Sequence, residues 1–241
     1  MSDFPSSTAQ TFRLLPLGDA ALTIEFGNEI NPALNARAIA FAGHVRAQAW
    51  EGVLDIVPTY RSVTIHVDPL HLDVNALSNR LLRLSRSFLP HSAPAAKEHT
   101  VPVFYGGEHG PDLEDVAAFA KMSVDDVIRL HSSVLYRVYM LGFSPGFPYL
   151  GIVPASIAMP RLATPRAIVP AGSVGIAGMQ TGIYPTATPG GWRVIGRTPV
   201  ALYRPSSATP FLLNPGDTVR FDSIGPEDFD RLLRTHDADA R

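Results

Sequence analysis

Between Gly142 and Val200 the chain is interrupted by ten glycines and nine prolines. Proline removes an N–H that a helix interior needs, and glycine makes ordering the backbone costlier. Such a stretch cannot sustain a long helix. It suits short strands joined by tight turns, as in a β-barrel. Before it, the pattern differs. Ala21–Phe26 alternates as a strand should; Asn31-Pro32 then supplies an N-cap and a proline at the first helical position. Leu34, Ala38, Ala42, Val45 and Ala49 form an apolar stripe at helical spacing. Val53–Val57 and Ser62–Val67 read as a strand pair. Asp73 caps a second helix carrying Leu77, Leu81, Leu84 and Phe88, and His99–Phe104 reads as a last strand. The first hundred residues thus follow a β-α-β-β-α-β order. Pro90–Lys97 reads as a surface connection, and the domains are expected at 1–98 and 99–241. In the second, Pro111–Ala120 and Ser123–Leu130 read as short helices, Ser123 and Asp126 forming a capping box. Val134–Leu141 precedes the glycine-proline stretch, and a terminal helix is expected over Pro226–His236.

Charge is divided as sharply as glycine and proline. Val127 to Gly216 contains no aspartate, glutamate or lysine, yet holds Arg129, Arg137, Arg161, Arg166, Arg193, Arg197 and Arg204. All 22 acids lie elsewhere, so a net charge of −2 conceals a cationic segment and an anionic remainder. Arginine offers a flat fork of donors matched to carboxylate or phosphate oxygens. An anion-binding site is therefore the leading expectation. There is no cysteine, which excludes disulfides, thiolate catalysis and cysteine-ligated metal centres. Met1–Gln10 has neither a basic start nor an apolar run, and no stretch suits a membrane span. A cytoplasmic location without membrane or nucleic-acid partners is expected by default.

Several patterns lose their usual meaning in context. Gly142-Phe-Ser144-Pro-Gly146 matches a nucleophile elbow, but Pro145 lacks the N–H an oxyanion would need and Pro148 blocks the helix that should follow. A rigid loop carrying Phe143 and Phe147 is the better reading. Gly172, Gly175, Gly178 and Gly182 resemble a phosphate loop, but no lysine follows Lys121. His131 is the only histidine of the cationic stretch. Surrounding positive charge would keep it neutral, as a general base requires; bonding to a helix C-terminus is the alternative. The other histidines lack metal-ligand spacing, so no metal site is expected.

Six ordered motifs carry a family resemblance: Gly142–Gly151, Thr164-Pro-Arg166, Val169–Gly178, Gln180-Thr-Gly-Ile-Tyr-Pro185, Pro189-Gly-Gly-Trp-Arg193 and Ile195-Gly-Arg-Thr-Pro199. With Leu17-Gly-Asp19 and Pro215-Gly-Asp217 at the two ends, the chain resembles the family of KipI and the B-type subunit of 5-oxoprolinase, the allophanate hydrolase subunit 1 type. Met179 departs from the polar or acidic residue expected before Gln180. The resemblance implies an α+β N-terminal ferredoxin-like domain followed by a mainly-β cyclophilin-like barrel. It also implies one subunit of an ATP-dependent 5-oxoprolinase, which opens 5-oxo-L-proline to L-glutamate. Its partners there would be a C-type subunit (the allophanate hydrolase subunit 2 type) and an A-type subunit. In that setting Arg166, Arg193 and Arg197 would hold the substrate carboxylate and developing phosphoryl charge. Gln180, Thr181 and Tyr184 would recognise the ring amide, Trp192 would floor a pocket or pack the barrel, and His131 would shuttle a proton. ATP, with Mg²⁺ if the site takes one, is expected to be completed by a partner subunit. The family also contains a histidine kinase inhibitor. Related domains occur in urea- and allophanate-metabolising carboxyltransferases, for which this chain, lacking a biotin-attachment motif, could be only a component.

Overall fold

The computed structural model describes residues 12–88 and 96–239. Met1–Gln10 and most of the Pro90–Lys97 connection lie outside the described residues. The chain divides into two units, Met1–Ala95 and Ala96–Arg241.

The first unit contains β1 (Arg13–Pro16), β2 (Ala21–Glu25), α1 (Pro32–Ala47), β3 (Val53–Pro58), β4 (Ser62–Val67) and α2 (Val74–Ser87). Its sheet is antiparallel, in the order β1-β2-β4-β3. Local chemistry starts both helices. The Asn31 side chain accepts from the backbone N–H of Ala33 at 2.8 Å, and Asp73 accepts from that of Asn75 at 2.8 Å. Ala38, Phe41, Ala42 and Val45 of α1 and Leu77 and Leu81 of α2 close over Leu22, Ile24, Val63 and Ile65 of the sheet. Each such side chain contributes roughly 1.5–3 kcal/mol by leaving water.

The second unit begins with β5 (Glu98–Tyr105), which corrects the strand order expected from sequence. This strand does not complete the first unit's sheet. It pairs in parallel with β13 (Thr218–Ser223) along six residue pairs, Thr218↔Glu98 through Ser223↔Val103. The first unit fills its fourth place with β1 instead, so its order is β-β-α-β-β-α. The turn before β13 fixes the pairing: the Asp217 carboxylate accepts from the backbone of Lys97 at 3.0 Å and of Asn214 at 2.9 Å, and lies 3.1 Å from His99 Nε2.

The remaining elements are α3 (Leu113–Ala120), α4 (Val124–Ser133), β6 (Leu135–Leu141), β7 (Pro148–Gly151), β8 (Arg166–Val169), β9 (Ser173–Ala177), β10 (Gln180–Ile183), β11 (Thr188–Gly190), β12 (Arg193–Arg197) and α5 (Pro226–Asp239). Seven strands close a barrel in the order β10-β7-β6-β13-β5-β12-β9, with β11 and β8 as a separate pair. Every barrel strand sends an apolar side chain inward, among them Val103, Val138, Leu150, Ile176, Ile183, Ile195 and Phe221. Burial alternates with period two in β5 and β13, whereas β9, β10 and β12 are buried almost continuously.

Candidate functional site

A tight loop lies across β12 and decides what surrounds its arginines. Gly106 N–H bonds to Ile195 O at 3.0 Å and Asp112 N–H to Val194 O at 2.9 Å. Gly110 is needed for that approach, since a Cβ there would lie 2.2 Å from Ile195 O. The loop buries Asp112, which accepts from Val194 N–H at 2.6 Å and from both arms of the Arg166 guanidinium at 2.8 and 2.7 Å. These hydrogen bonds to Asp112 hold the Arg166 proton more firmly than usual. Arg193 reaches Asp115 at 3.3 Å and Pro160 O at 3.3 Å. Arg129 pairs with Asp126 at 2.5 Å. Arg166, Arg193 and Arg197 therefore do not converge on one open spot with free guanidinium groups. Arg166 and Arg193 are held by acids that stand just before the acid-free stretch in sequence.

Arg197 is placed differently. Its Nε–H donates to Ala171 O at 2.8 Å, and no carboxylate meets it among the described residues. Together with Arg166 it lines a cleft of about 420 Å³ on the barrel flank. Ser173 and Val194 belong to the barrel wall there. Ile168, Val169 and Pro170 come from β8 and its exit, and Glu108, His109 and Pro111 from the loop. Behind Val169 and Val194 lies an aromatic cluster of Phe147, Tyr149, Tyr184 and Trp192 in edge-to-face contact.

Of the other residues singled out from sequence, His131 and Thr181 are buried in the barrel, Tyr184 and Trp192 in the aromatic cluster, and Gln180 is half-buried; none of them lines the cleft. His131, inside α4, has no exposed surface and stacks on Phe221 at 4.6 Å. Thr181 Oγ1 donates to Gly175 O at 2.9 Å, so it accepts from His131 Nε2–H, also at 2.9 Å. That fixes the tautomer: Nδ1 accepts from the Tyr105 hydroxyl at 2.8 Å. Burial lowers the His131 pKa to about 3, so the ring is neutral. Enclosure is the cause, in place of neighbouring positive charge, and the ring bonds to side chains rather than to a helix C-terminus. Tyr184 is buried, which raises its pKa, and its oxygen accepts a hydrogen bond from the Trp192 backbone. Trp192 packs within the aromatic cluster. Gln180 opens β10, opposite Gly151 and Ala177.

The loop from Gly142 to Phe147 is a turn and not an elbow. Gly142 N–H bonds to Phe147 O at 3.1 Å, Phe143 adopts a left-handed φ of 67°, and a strand follows. Two residues of the flank escaped the sequence reading. Ser173 lies within the Val169–Gly178 motif, where the sequence did not single it out. Asp112 could have been suspected only as one of the acids outside the acid-free stretch able to answer its arginines.

Residues 12–213 match the family model of the carboxyltransferase domain, subdomains C and D. The chain is 43% identical over 229 residues to the B-type subunit of 5-oxoprolinase from Bacillus subtilis, covering 90% of this chain and 95% of that one. The crystal structure of TTHA0988 is 42% identical and superposes with a TM-score of 0.76 over 86% of this chain, which spans 40% of that longer chain. The Kluyveromyces lactis urea carboxylase gives a TM-score of 0.79 at 20% identity over 24% of its length, a likeness of fold alone.

Proposed function

This chain belongs to the family of the 5-oxoprolinase B-type subunit, and from that membership we propose that it is one subunit of an enzyme that opens 5-oxo-L-proline to L-glutamate at the expense of ATP. The observation that carries the reading is 43% identity across 95% of the Bacillus subtilis protein. The match to urea carboxylase, at 20% identity, supports the fold without that enzyme's chemistry. In the same reading the first unit is a ferredoxin-like sheet whose last strand is replaced by β1. The second is a cyclophilin-like barrel, and the complex, completed by A-type and C-type subunits, works in the cytoplasm.

The reaction sets two demands. The lactam is an unactivated amide, so its carbonyl oxygen must become a leaving group, most simply by phosphorylation. Water must then attack the carbonyl carbon as the ring C–N bond breaks. The residues of this chain do not fit a magnesium–ATP cradle. No lysine follows Lys121, and among the described residues no three histidines or carboxylates gather that could hold a metal. No step through ATP is assigned to this chain, and the nucleotide belongs to a partner subunit. What the barrel offers is recognition of the organic acid. Glutamate release from 5-oxo-L-proline, measured with the three subunits together and with each left out, tests the reading. Release is expected only when this chain and its partners are all present. No release from the full set, or undiminished release without this chain, would overturn it.

A further inference from the structure

The two arginines that line the flank cleft are not equivalent. Arg166 spends both arms of its fork on Asp112, while Arg197 spends only Nε–H, on Ala171 O. That one bond anchors the Arg197 side chain and leaves both terminal nitrogens without a carboxylate among the described residues. Directly across the strand pair, Arg197 faces Ser173. Side chains so opposed stand about 5 Å apart at Cβ on the same face. Ser173 is only 2% exposed and lines the cleft, and its hydroxyl has no hydrogen-bond partner among the described residues. That hydroxyl is not among the sealed, unpartnered side-chain atoms of the described residues; it is open to the cleft, where a ligand can meet it. Both features stand on one wall of one cavity.

From these observations we propose that the cleft is a binding site for a compact organic monocarboxylate. The two terminal nitrogens of Arg197 take the carboxylate end-on, and the Ser173 hydroxyl supplies a further donor. The remaining surface, Ile168, Val169 and Val194, receives a small apolar body. At about 420 Å³ the cleft lies in the range of roughly 300–1,000 Å³ that holds small molecules. Charge selects against a phosphate. Arg166 is neutralised by Asp112, and Glu108 stands at the cleft with its side chain 88% exposed, so a dianion would meet one free cation and one carboxylate. Naming 5-oxo-L-proline as the natural occupant rests on the function proposed above; recognition of a ring-sized monocarboxylate does not.

The test is a titration of the full-length chain followed through the methyl signals of Ile168, Val169 and Val194. Four probes are used: 5-oxo-L-proline, cyclopentanecarboxylate (no lactam), 2-pyrrolidinone (no carboxylate) and inorganic phosphate. The two carboxylates are expected to move these signals saturably, and the other two to leave them in place. Arg197→Gln is expected to weaken carboxylate binding about tenfold or more, since an ionic fork is lost. Arg197→Lys recovers only part of that, and Ser173→Ala costs about threefold to tenfold. If Arg197→Gln does not fold, the probe selectivity and Ser173→Ala decide. Unmoved methyl signals with both carboxylates, equal response to 2-pyrrolidinone, preference for phosphate, or unchanged affinity in Ser173→Ala and any folded Arg197 variant would each overturn the site. Glutamate release by the assembled subunits is scored separately. Turnover without cleft binding removes this site and leaves the enzymatic reading standing, whereas cleft binding without turnover does the reverse.

Discussion

Thr181 and Ser173 stand on neighbouring barrel strands, at 0% and 2% exposure, and their hydroxyls meet opposite fates. Thr181 is the middle link of a closed chain, from Tyr105 through His131 to Gly175 O, in which each donor has an acceptor. Ser173 faces the cleft with nothing to bond to among the described residues. The same contrast separates Arg166, locked to Asp112 by two arms, from Arg197, held by one backbone oxygen. In each pair, one member is spent on the fold and the other is left available. Arginines on one strand need not share a role: Arg193 and Arg197 both belong to β12, yet of the two only Arg197 keeps its fork free of an acid among the described residues.

The largest effect that can test this division is at His131. His131→Ala removes a ring stacked on Phe221 and takes away the partner of the buried Tyr105 hydroxyl. Cavity and orphaned donor together are expected to cost on the order of 4 kcal/mol, read from urea denaturation. Ser173→Ala, measured alongside, should change stability by less than about 0.5 kcal/mol. Equal losses in the two variants would erase the distinction between sealed interior and open flank.

The two arginines give the next effect. Arg166→Ala leaves the Asp112 carboxylate, 4% exposed, with only the Val194 N–H to face it. Breaking a buried pair from one side costs about 3 kcal/mol, and the partial exposure of Arg166 puts this case at the low end of the usual range. Arg197→Gln gives up one hydrogen bond to a carbonyl, about 1 kcal/mol. A thermal melt of both variants checks the ranking, and a larger loss at position 197 would show that Arg197 is a structural residue after all.

What the sequence disclosed depended on how far the physical cause lay along the chain. Asn31, Asp73 and Ser123 cap the helices they precede because a cap bonds within three residues. The glycine-proline punctuation likewise announces short strands wherever they fall. The strand at His99–Phe104 was legible as a strand, but its partner lies about 120 residues onward and joins in parallel, so its membership in the barrel was not. The acid-free stretch illustrates the same limit. Its arginines lack partners in sequence, yet Asp112 and Asp115, brought against β12 by the loop before α3 and by α3 itself, answer two of them. His131 has a comparable history: no local pattern reveals that Tyr105 and Thr181, 26 residues before it and 50 after, will close around its two nitrogens.

The dependence on pH sharpens the account of the interior. Burial depresses the folded-state pKa of His131 to about 3, while the unfolded chain returns it to the ordinary value of 6.5. Below pH 6.5 the unfolded state takes up a proton that the folded state refuses. The contribution is therefore whole above that pH and is lost progressively as pH falls toward 3. The slope from this group is about 1.4 kcal/mol per pH unit. Denaturation free energies between pH 7 and 4.5 should show it, and His131→Gln, whose side chain does not titrate, should flatten the curve by that amount. A variant curve parallel to the native one would mean that the ring is hydrated and protonated in the folded state. The chain of hydrogen bonds through the barrel would then not be closed, and the contrast with Ser173 would lose its inner term.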